Sequence, residues 1–115
     1  MNEPVPAALS LARRWFKALD DRDPWTAAAL VSDDCRITNP TGNEDLVGPA
    51  GVRELLRMAP PTLRRSVRAE RVEGDTAIVT GLTRVPGAFA NYTTWTIETD
   101  GDRITRIGFA WRSAN

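Results

Sequence analysis

Apolar residues in the first part of the chain recur at helical spacing. From residue 7 to residue 20 they form a wide apolar face made of two lines, one at Leu9, Ala12, Phe16 and Leu19 and one at Leu11, Trp15 and Ala18. This spacing predicts an amphipathic helix. A second, short helix is predicted after Asp23, because Asp23 suits the N-cap position and Pro24 suits the first turn. The acidic pair Asp33–Asp34 is expected in the solvated turn that follows this helix.

A short strand and a third helix are predicted next. In the stretch CRITN, the residues Cys35, Ile37 and Asn39 alternate with Arg and Thr, which is typical of a strand with one inward face. The strand is expected to end at the proline that follows it. A third helix is predicted from Pro49, because proline suits a first helical turn, and the Pro60–Pro61 pair is expected to stop it.

The second half of the chain changes to a period of two. Four strand-like segments follow one another, separated by the turn signals EGD, PGA and DGD: LRRSVRAERVEGD, TAIVTGLTRV, FANYTTWTIETDGD and RITRIGFAWR. Three helices followed by a strand meander predict an α+β fold with a curved antiparallel sheet. The length of 115 residues is typical of one domain, so a single domain over residues 1–115 is expected.

Composition narrows the possible chemistry. The formal net charge is zero, so a nucleic-acid partner is not expected. The chain has no histidine and one cysteine, which argues against a metal site and against a Ser-His nucleophile, and no cofactor is expected. No apolar run approaches the roughly 20 residues needed to span a membrane. The first residues do not have the pattern of a signal peptide, so a cytoplasmic protein is expected.

Several segments, taken in order, resemble the NTF2-like superfamily in its SnoaL-like and ketosteroid-isomerase-like branch. The resemblance spans about residues 7–112 and is carried by ARRWFKALDDRD, ALVSDDCRITNPTG, LVGPAGVREL, VEGDTAIVT and DGDRITRIGFAW. It implies a cone in which three N-terminal helices pack on a curved antiparallel sheet around an apolar pocket. It also implies a homodimer. Chemistry within the superfamily is diverse, so the function has to be argued from the site.

The resemblance to ketosteroid isomerase departs at the positions that carry its chemistry. That enzyme uses an aspartate base, with a tyrosine and a protonated aspartic acid as donors to the oxyanion. The matching positions here are Asn39 for the base, Trp15 for the tyrosine and Thr93 for the acid, or Thr94 after a shift of one residue. An amide has no useful basicity near neutral pH, so no steroid isomerase activity is expected.

A similarity to limonene epoxide hydrolase gives Asn39 another possible role. In that branch an asparagine on the first strand helps to hold the attacking water. The last-strand position that would carry an aspartate is Phe109 here, and the neighbouring strand offers Arg84 but no carboxylate. Asn39 would therefore hold the attacking water, but no nearby carboxylate would accept a proton from that water. Asn39 is a candidate catalytic residue only as the group that holds the water.

The implied pocket is expected to have an aromatic lining with neutral polar groups. Its predicted residues are Trp15, Ile37, Asn39, Thr93, Trp95, Phe109 and Trp111. Burial of a charged ligand without a partner is costly, and no inward ion is evident, so a small neutral apolar ligand is expected. Two alternatives stay open, because Asn39 before a proline is also typical of a turn and Trp15 is also typical of a core aromatic.

Other charged residues have open interpretations. Glu44 and Asp45 lie in a loop that is placed to cover the pocket mouth. One predicted strand is densely basic, which fits a solvated or interface face or, alternatively, a site for an anionic partner; its arginines are Arg64, Arg65, Arg68 and Arg71.

Two function classes remain open at this point. The first is a cofactor-independent isomerase, cyclase or hydrolase of secondary or lipid metabolism that acts on an apolar small molecule. The second is a non-catalytic ligand-binding or dimerisation module. A carboxylate within reach of Asn39 would favour the first class. The segment TAIVTGLTRV favours a homodimer in either case, because it carries apolar residues on both faces: Ala77, Val79 and Val85 on one, Ile78 and Leu82 on the other.

Overall fold

The computed structural model describes residues 5–114. The helices are α1, Ala7–Asp20; α2, Pro24–Ala29; and α3, Gly48–Met58. The strands are β1, Val31–Ile37; β2, Leu46–Val47; β3, Arg64–Glu73; β4, Thr76–Val85; β5, Phe89–Asp100; and β6, Arg103–Ser113. Within the described range, no helix is both long enough and apolar enough to cross a membrane.

The strands form one curved, open sheet in the order β2-β1-β6-β5-β4-β3. Neighbouring strands are antiparallel along β3 to β6 and between β1 and β2, whereas β1 and β6 run parallel. The predicted α+β fold, with three helices on a curved and mostly antiparallel sheet, is confirmed. The parallel pair forms where β1, which precedes α3 in the chain, lies beside β6, the last strand of the meander.

The three helices begin and end close to their predicted positions. In α2, Asp23 is the N-cap, and its Oδ1 accepts a hydrogen bond from the backbone N of Thr26 at 3.1 Å. Its Oδ2 accepts a second hydrogen bond from the Thr26 hydroxyl at 2.6 Å. The third helix ends at Met58, two residues before Pro60. The N-cap aspartate therefore marks the start of α2, and the proline pair marks the end of α3, as the sequence predicts.

The acidic pair Asp33–Asp34 lies inside β1, so the prediction that it follows α2 in a turn is wrong. The helix ends at Ala29 and the strand already begins at Val31. Val31 is buried and pairs with Ile104 of β6. This pairing holds the chain in a strand from Val31 onwards, although the residues that follow Val31 are polar. Both aspartates are exposed on this strand.

The two faces of the sheet have different environments. The inner face packs against the helices and carries the buried residues Ala77, Val79, Ile97 and Ile107. These residues and the apolar side of α1 form the core, in which Trp15 is fully buried. The outer face carries the alternate residues of β3 to β6, such as the exposed Thr94.

Candidate functional site

A cavity of about 1000 Å³ lies between the inner face of the sheet and the ends of two helices. The end of α1, the end of α3 and the turn after α3 supply Leu19, Asp20, Arg22, Leu55, Leu56, Met58, Ala59, Pro60, Pro61 and Leu63. The sheet supplies Arg64, Arg65, Thr83, Phe89, Asn91, Thr93, Trp95, Phe109 and Trp111. Pro40 and Thr41, from the loop after β1, complete the lining.

Four of the seven residues predicted for the pocket lie on this cavity. They come from β5 and β6 and are Thr93, Trp95, Phe109 and Trp111. In the register of these strands Thr93 is opposite Trp111 and Trp95 is opposite Phe109, which places all four on the inner face. The other three, Trp15, Ile37 and Asn39, lie outside the lining that the described chain forms. Ligand contact by any of the seven stays a prediction.

Asn39 lies in the loop after β1, where its side chain holds a turn. Oδ1 accepts hydrogen bonds from the backbone N of Thr41 at 3.0 Å and from the Thr41 hydroxyl at 2.7 Å. Nδ2 donates to the backbone O of Glu44 at 3.2 Å. The predicted inward position of Asn39 is therefore wrong, because β1 ends at Ile37 and the amide organises the loop instead. Ile37 itself is fully buried in the core.

Trp15 is a core aromatic. Its ring centroid lies 5.3 Å from that of Phe16 and 6.1 Å from that of Trp95, both in edge-to-face arrangements. Its Nε1 is buried and has no hydrogen-bond partner within residues 5–114. Trp95 continues the cluster to Phe109, with ring centroids 4.8 Å apart. The aromatic cluster thus connects the core to the cavity through Trp95, and the Trp15 indole does not reach the lining.

The choice between Thr93 and Thr94 is decided by the structure. Thr93 is 6% exposed and faces the cavity, where its hydroxyl donates to the Thr83 hydroxyl at 3.1 Å. Thr94 is exposed on the outer face. Thr83 pairs across the sheet with Asn91 and with Arg65. A row of polar side chains therefore crosses the inner face of β3, β4 and β5 on the cavity wall.

Arg65, whose inward position was not predicted, is the charged group most deeply placed in the lining that residues 5–114 form. The sequence indicated it only as part of a basic strand, with an anionic partner as one alternative. Its side chain is only 9% exposed, and its guanidinium lies 4.1 Å from the ring centroid of Phe16. Its Nη2 donates to Oδ2 of Asp20 at 2.8 Å. The expectation that the lining carries no charge is therefore wrong. Strand parity indicates that one of the consecutive residues Arg64 and Arg65 lies on the inner face, but it does not indicate which one.

The sequence matches the model of the SnoaL-like domain over residues 12–107. The chain belongs to the SnoaL-like family. Its assignment to the NTF2-like superfamily, in the SnoaL-like branch, is thereby confirmed. Among curated proteins, none matches this SnoaL-like sequence.

Solved structures share the fold of this SnoaL-like protein over nearly its whole length. A protein from Sphaerobacter thermophilus is 29% identical, with a TM-score of 0.79 over 94% of this chain and 98% of its own. A candidate ketosteroid isomerase from Kribbella flavida is 23% identical, with a TM-score of 0.82 over 95% of this chain and 80% of its own. A candidate SnoaL-like polyketide cyclase from Shewanella denitrificans is 17% identical, with a TM-score of 0.79 over 94% and 92%. The last two similarities concern the fold alone.

Other charged residues singled out from the sequence lie away from the lining. Glu44 and Asp45 are exposed in the loop between β1 and β2, and two other residues of that loop border the cavity. Arg84 is exposed at the end of β4, outside the lining that residues 5–114 form. Arg68 lies 5.3 Å from the ring centroid of Tyr92 and is also exposed. Among the arginines of β3, Arg65 is buried in the lining, whereas Arg64 borders the cavity but is exposed.

Two displaced pKa values in this SnoaL-like protein have structural causes away from the cavity. Burial raises the pKa of the Cys35 thiol to about 12, with a further contribution from the nearby charge of Asp34. Hydrogen bonds from Arg13 hold the pKa of Glu70 below its usual value, and this ion pair ties α1 to β3. Within the described residues, no group of three or more cysteine, aspartate or glutamate side chains is placed to hold a metal ion.

Proposed function

We propose that this SnoaL-like protein binds a small, largely apolar molecule in the cavity. The observation that carries the proposal is the cavity itself, whose volume of about 1000 Å³ is of the size that small-molecule sites have. Its walls combine apolar side chains, such as Leu55, Leu56 and Phe109, with the polar row on β3 to β5. A mostly apolar wall with few polar groups supplies affinity through contact and orientation through hydrogen bonds.

A second candidate is that the bound molecule is also transformed, by an isomerase, cyclase or hydrolase reaction of secondary or lipid metabolism. Asp20 supports this candidate, because it is the one carboxylate in the lining formed by residues 5–114. Its side chain is 52% exposed and ion-paired with Arg65. A carboxylate beside an apolar cavity is able to act as a general base. It lies on α1, and Asn39 is outside the lining that residues 5–114 form, so the isomerase arrangement considered for Asn39 does not apply.

The test of binding uses a neutral fluorescent probe, N-phenyl-1-naphthylamine, whose emission rises in an apolar site. We expect saturable binding of one probe per chain. Asn91→Phe places a large side chain on the cavity wall and is expected to weaken binding at least about tenfold, which corresponds to roughly 1.4 kcal/mol. Thr94→Phe is the matched control, because it adds the same ring three residues along β5 on the exposed outer face.

Binding that is not saturable, or that both substitutions weaken equally, would contradict the proposal. Catalysis is tested separately with any molecule that the purified protein retains in native mass spectrometry. Asp20→Asn removes the only basic oxygen of the lining in the described chain and should abolish turnover while the molecule still binds. Full turnover by this variant would show that Asp20 is not the general base.

A further inference from the structure

We propose that the ligand carries a carboxylate and that Arg65 binds it. This inference rests on the proposed binding function and adds the chemical class of the polar end of the ligand. It replaces the neutral ligand expected from the sequence, because that expectation depended on a lining without charge. Three features of the cavity carry it: the surroundings of the Arg65 guanidinium, the balance of charges in the lining, and the polar row beside Arg65.

The guanidinium of Arg65 is buried with donors to spare. One face lies against the ring of Phe16, and Nη2 is bonded to Asp20. A guanidinium has five N–H donors, and no acceptor within residues 5–114 is bonded to Nε or Nη1. Because Arg65 lines the cavity, these donors are available to a bound molecule. Nη2 keeps a second N–H beyond its bond to Asp20, and together with Nε or Nη1 it forms a fork from which a carboxylate accepts two parallel hydrogen bonds. A single carbonyl or hydroxyl oxygen cannot accept both bonds in this geometry.

The charges of the lining favour an anion. Three arginines, Arg22, Arg64 and Arg65, face the cavity against the one carboxylate of Asp20 in the described chain. Arg22 is held at the edge by its Nη2, which donates to the backbone O of Leu56 at 3.3 Å and to that of Ala59 at 3.3 Å. The excess of positive charge attracts an anion.

The polar row continues the site on the sheet. Thr83 is the cross-strand partner of Arg65, and Asn91 is the cross-strand partner of Thr83. Their hydroxyl and amide groups lie beside Arg65 in the lining and supply further hydrogen-bond donors for the same carboxylate. The apolar walls lie on either side of this row, at Leu55 and Phe109. An aromatic or alicyclic acid, with its carboxylate on Arg65 and its body between these walls, satisfies all three features.

The test compares two competitors with the same apolar body, 1-naphthylacetate and 1-naphthylacetamide, as displacers of N-phenyl-1-naphthylamine at neutral pH and low salt. We expect the acid to bind about tenfold more tightly than the amide, as is typical of a hydrogen bond to a charged group. Arg65→Gln should abolish this preference, so that the acid and the amide displace the probe equally well. Arg68→Gln, which removes an exposed arginine of the same strand, is the matched control and should keep the preference.

Asp20→Asn provides a second, independent readout, because it removes the negative charge that competes for the guanidinium. This variant should raise the preference for the acid several-fold. Equal binding of acid and amide by the unchanged protein, or no change in the preference with Asp20→Asn, would overturn the inference even if Arg65→Gln failed to fold. If the probe still binds in either case, the proposed binding of a small apolar molecule is not contradicted. Loss of all probe binding by the unchanged protein would instead overturn the proposed function.

Discussion

Asn39 stabilises the loop between β1 and β2 through the three hydrogen bonds of its amide. Asn39→Asp keeps both acceptor bonds to Thr41 but loses the donor to Glu44, so we expect a loss of about 1 kcal/mol in the free energy of unfolding. Urea denaturation measures this change. The new carboxylate lies outside the cavity lining, so probe affinity should not change, and isomerisation of a β,γ-unsaturated ketosteroid should stay at the buffer rate for both proteins. Isomerase activity gained by Asn39→Asp would show that this loop reaches the ligand.

Cys35 is fully buried, and its raised pKa predicts an unreactive thiol in the folded protein. With a pKa of about 12, roughly one thiol in ten thousand is ionised at pH 8, and the thiolate is the species that reacts. We therefore expect no labelling by an aromatic disulfide reagent at pH 8 over the time in which the guanidinium-unfolded chain is labelled completely. Stoichiometric labelling of the folded protein at an equal rate would mean that β1 opens readily.

At the scale of the elements, β3 and β4 approach each other closely at Gly81. A Cβ added to Gly81 would lie 2.1 Å from the backbone O of Ser66, next to the register shift between Val67 and Ala69. We expect Gly81→Ala to lower the free energy of unfolding by about 1–3 kcal/mol, because the backbone of β3 has to move. The control is Gly108→Ala, whose Cβ would meet its nearest neighbour at 3.8 Å and should change stability by less than about 0.5 kcal/mol. Similar effects of the two substitutions would contradict this account.

The elements with strong periodicity were predictable from the sequence, and those held by distant contacts were not. The helix α1 and the four strands of the meander follow local patterns that survive in the structure. By contrast, β2 has two residues and exists through its pairing with β1, so no local pattern indicates it. The early start of β1 at Val31 depends in the same way on its pairing with Ile104 of β6.

The cavity residues also divide into those that a local pattern indicates and those that depend on contacts between distant segments. Alternation along β5 and β6 identified four residues of the lining, Thr93, Trp95, Phe109 and Trp111, but Asn91 of β5 was not predicted. Asp20 and the end of α3 were missed, because their place on the cavity depends on how the helices pack on the sheet. Arg65 was missed because the sequence around it is uniformly polar, and such a strand carries no hydrophobic signal of which face is buried.

At the scale of the whole molecule, the outer face of the sheet suggests a second copy as its partner. Ile78 and Leu82 of β4 are only partly buried on this face. We expect a homodimer that covers them, and sedimentation velocity at micromolar concentration measures its mass. Leu82→Arg should give a monomer, since a charge in the middle of an interface costs several kcal/mol. Ala29→Arg, at an exposed position on helix α2, is the control. A monomeric unchanged protein would contradict this prediction.

The arginines of β3 have a consequence beyond ligand binding, because β3 is the last strand of an open sheet. It pairs only with β4 among the described strands, so its other side has backbone donors and acceptors to which a foreign strand can add. Such edges are templates for cross-β fibrils, and charged side chains are a common protection against them. Arg64, Arg68 and Arg71 are exposed along this edge. The opposite edge, β2, is protected in another way, since a strand of two residues is too short to recruit a partner. We therefore expect the arginines of β3 to oppose the addition of foreign strands to this edge while the chain is synthesised and folds.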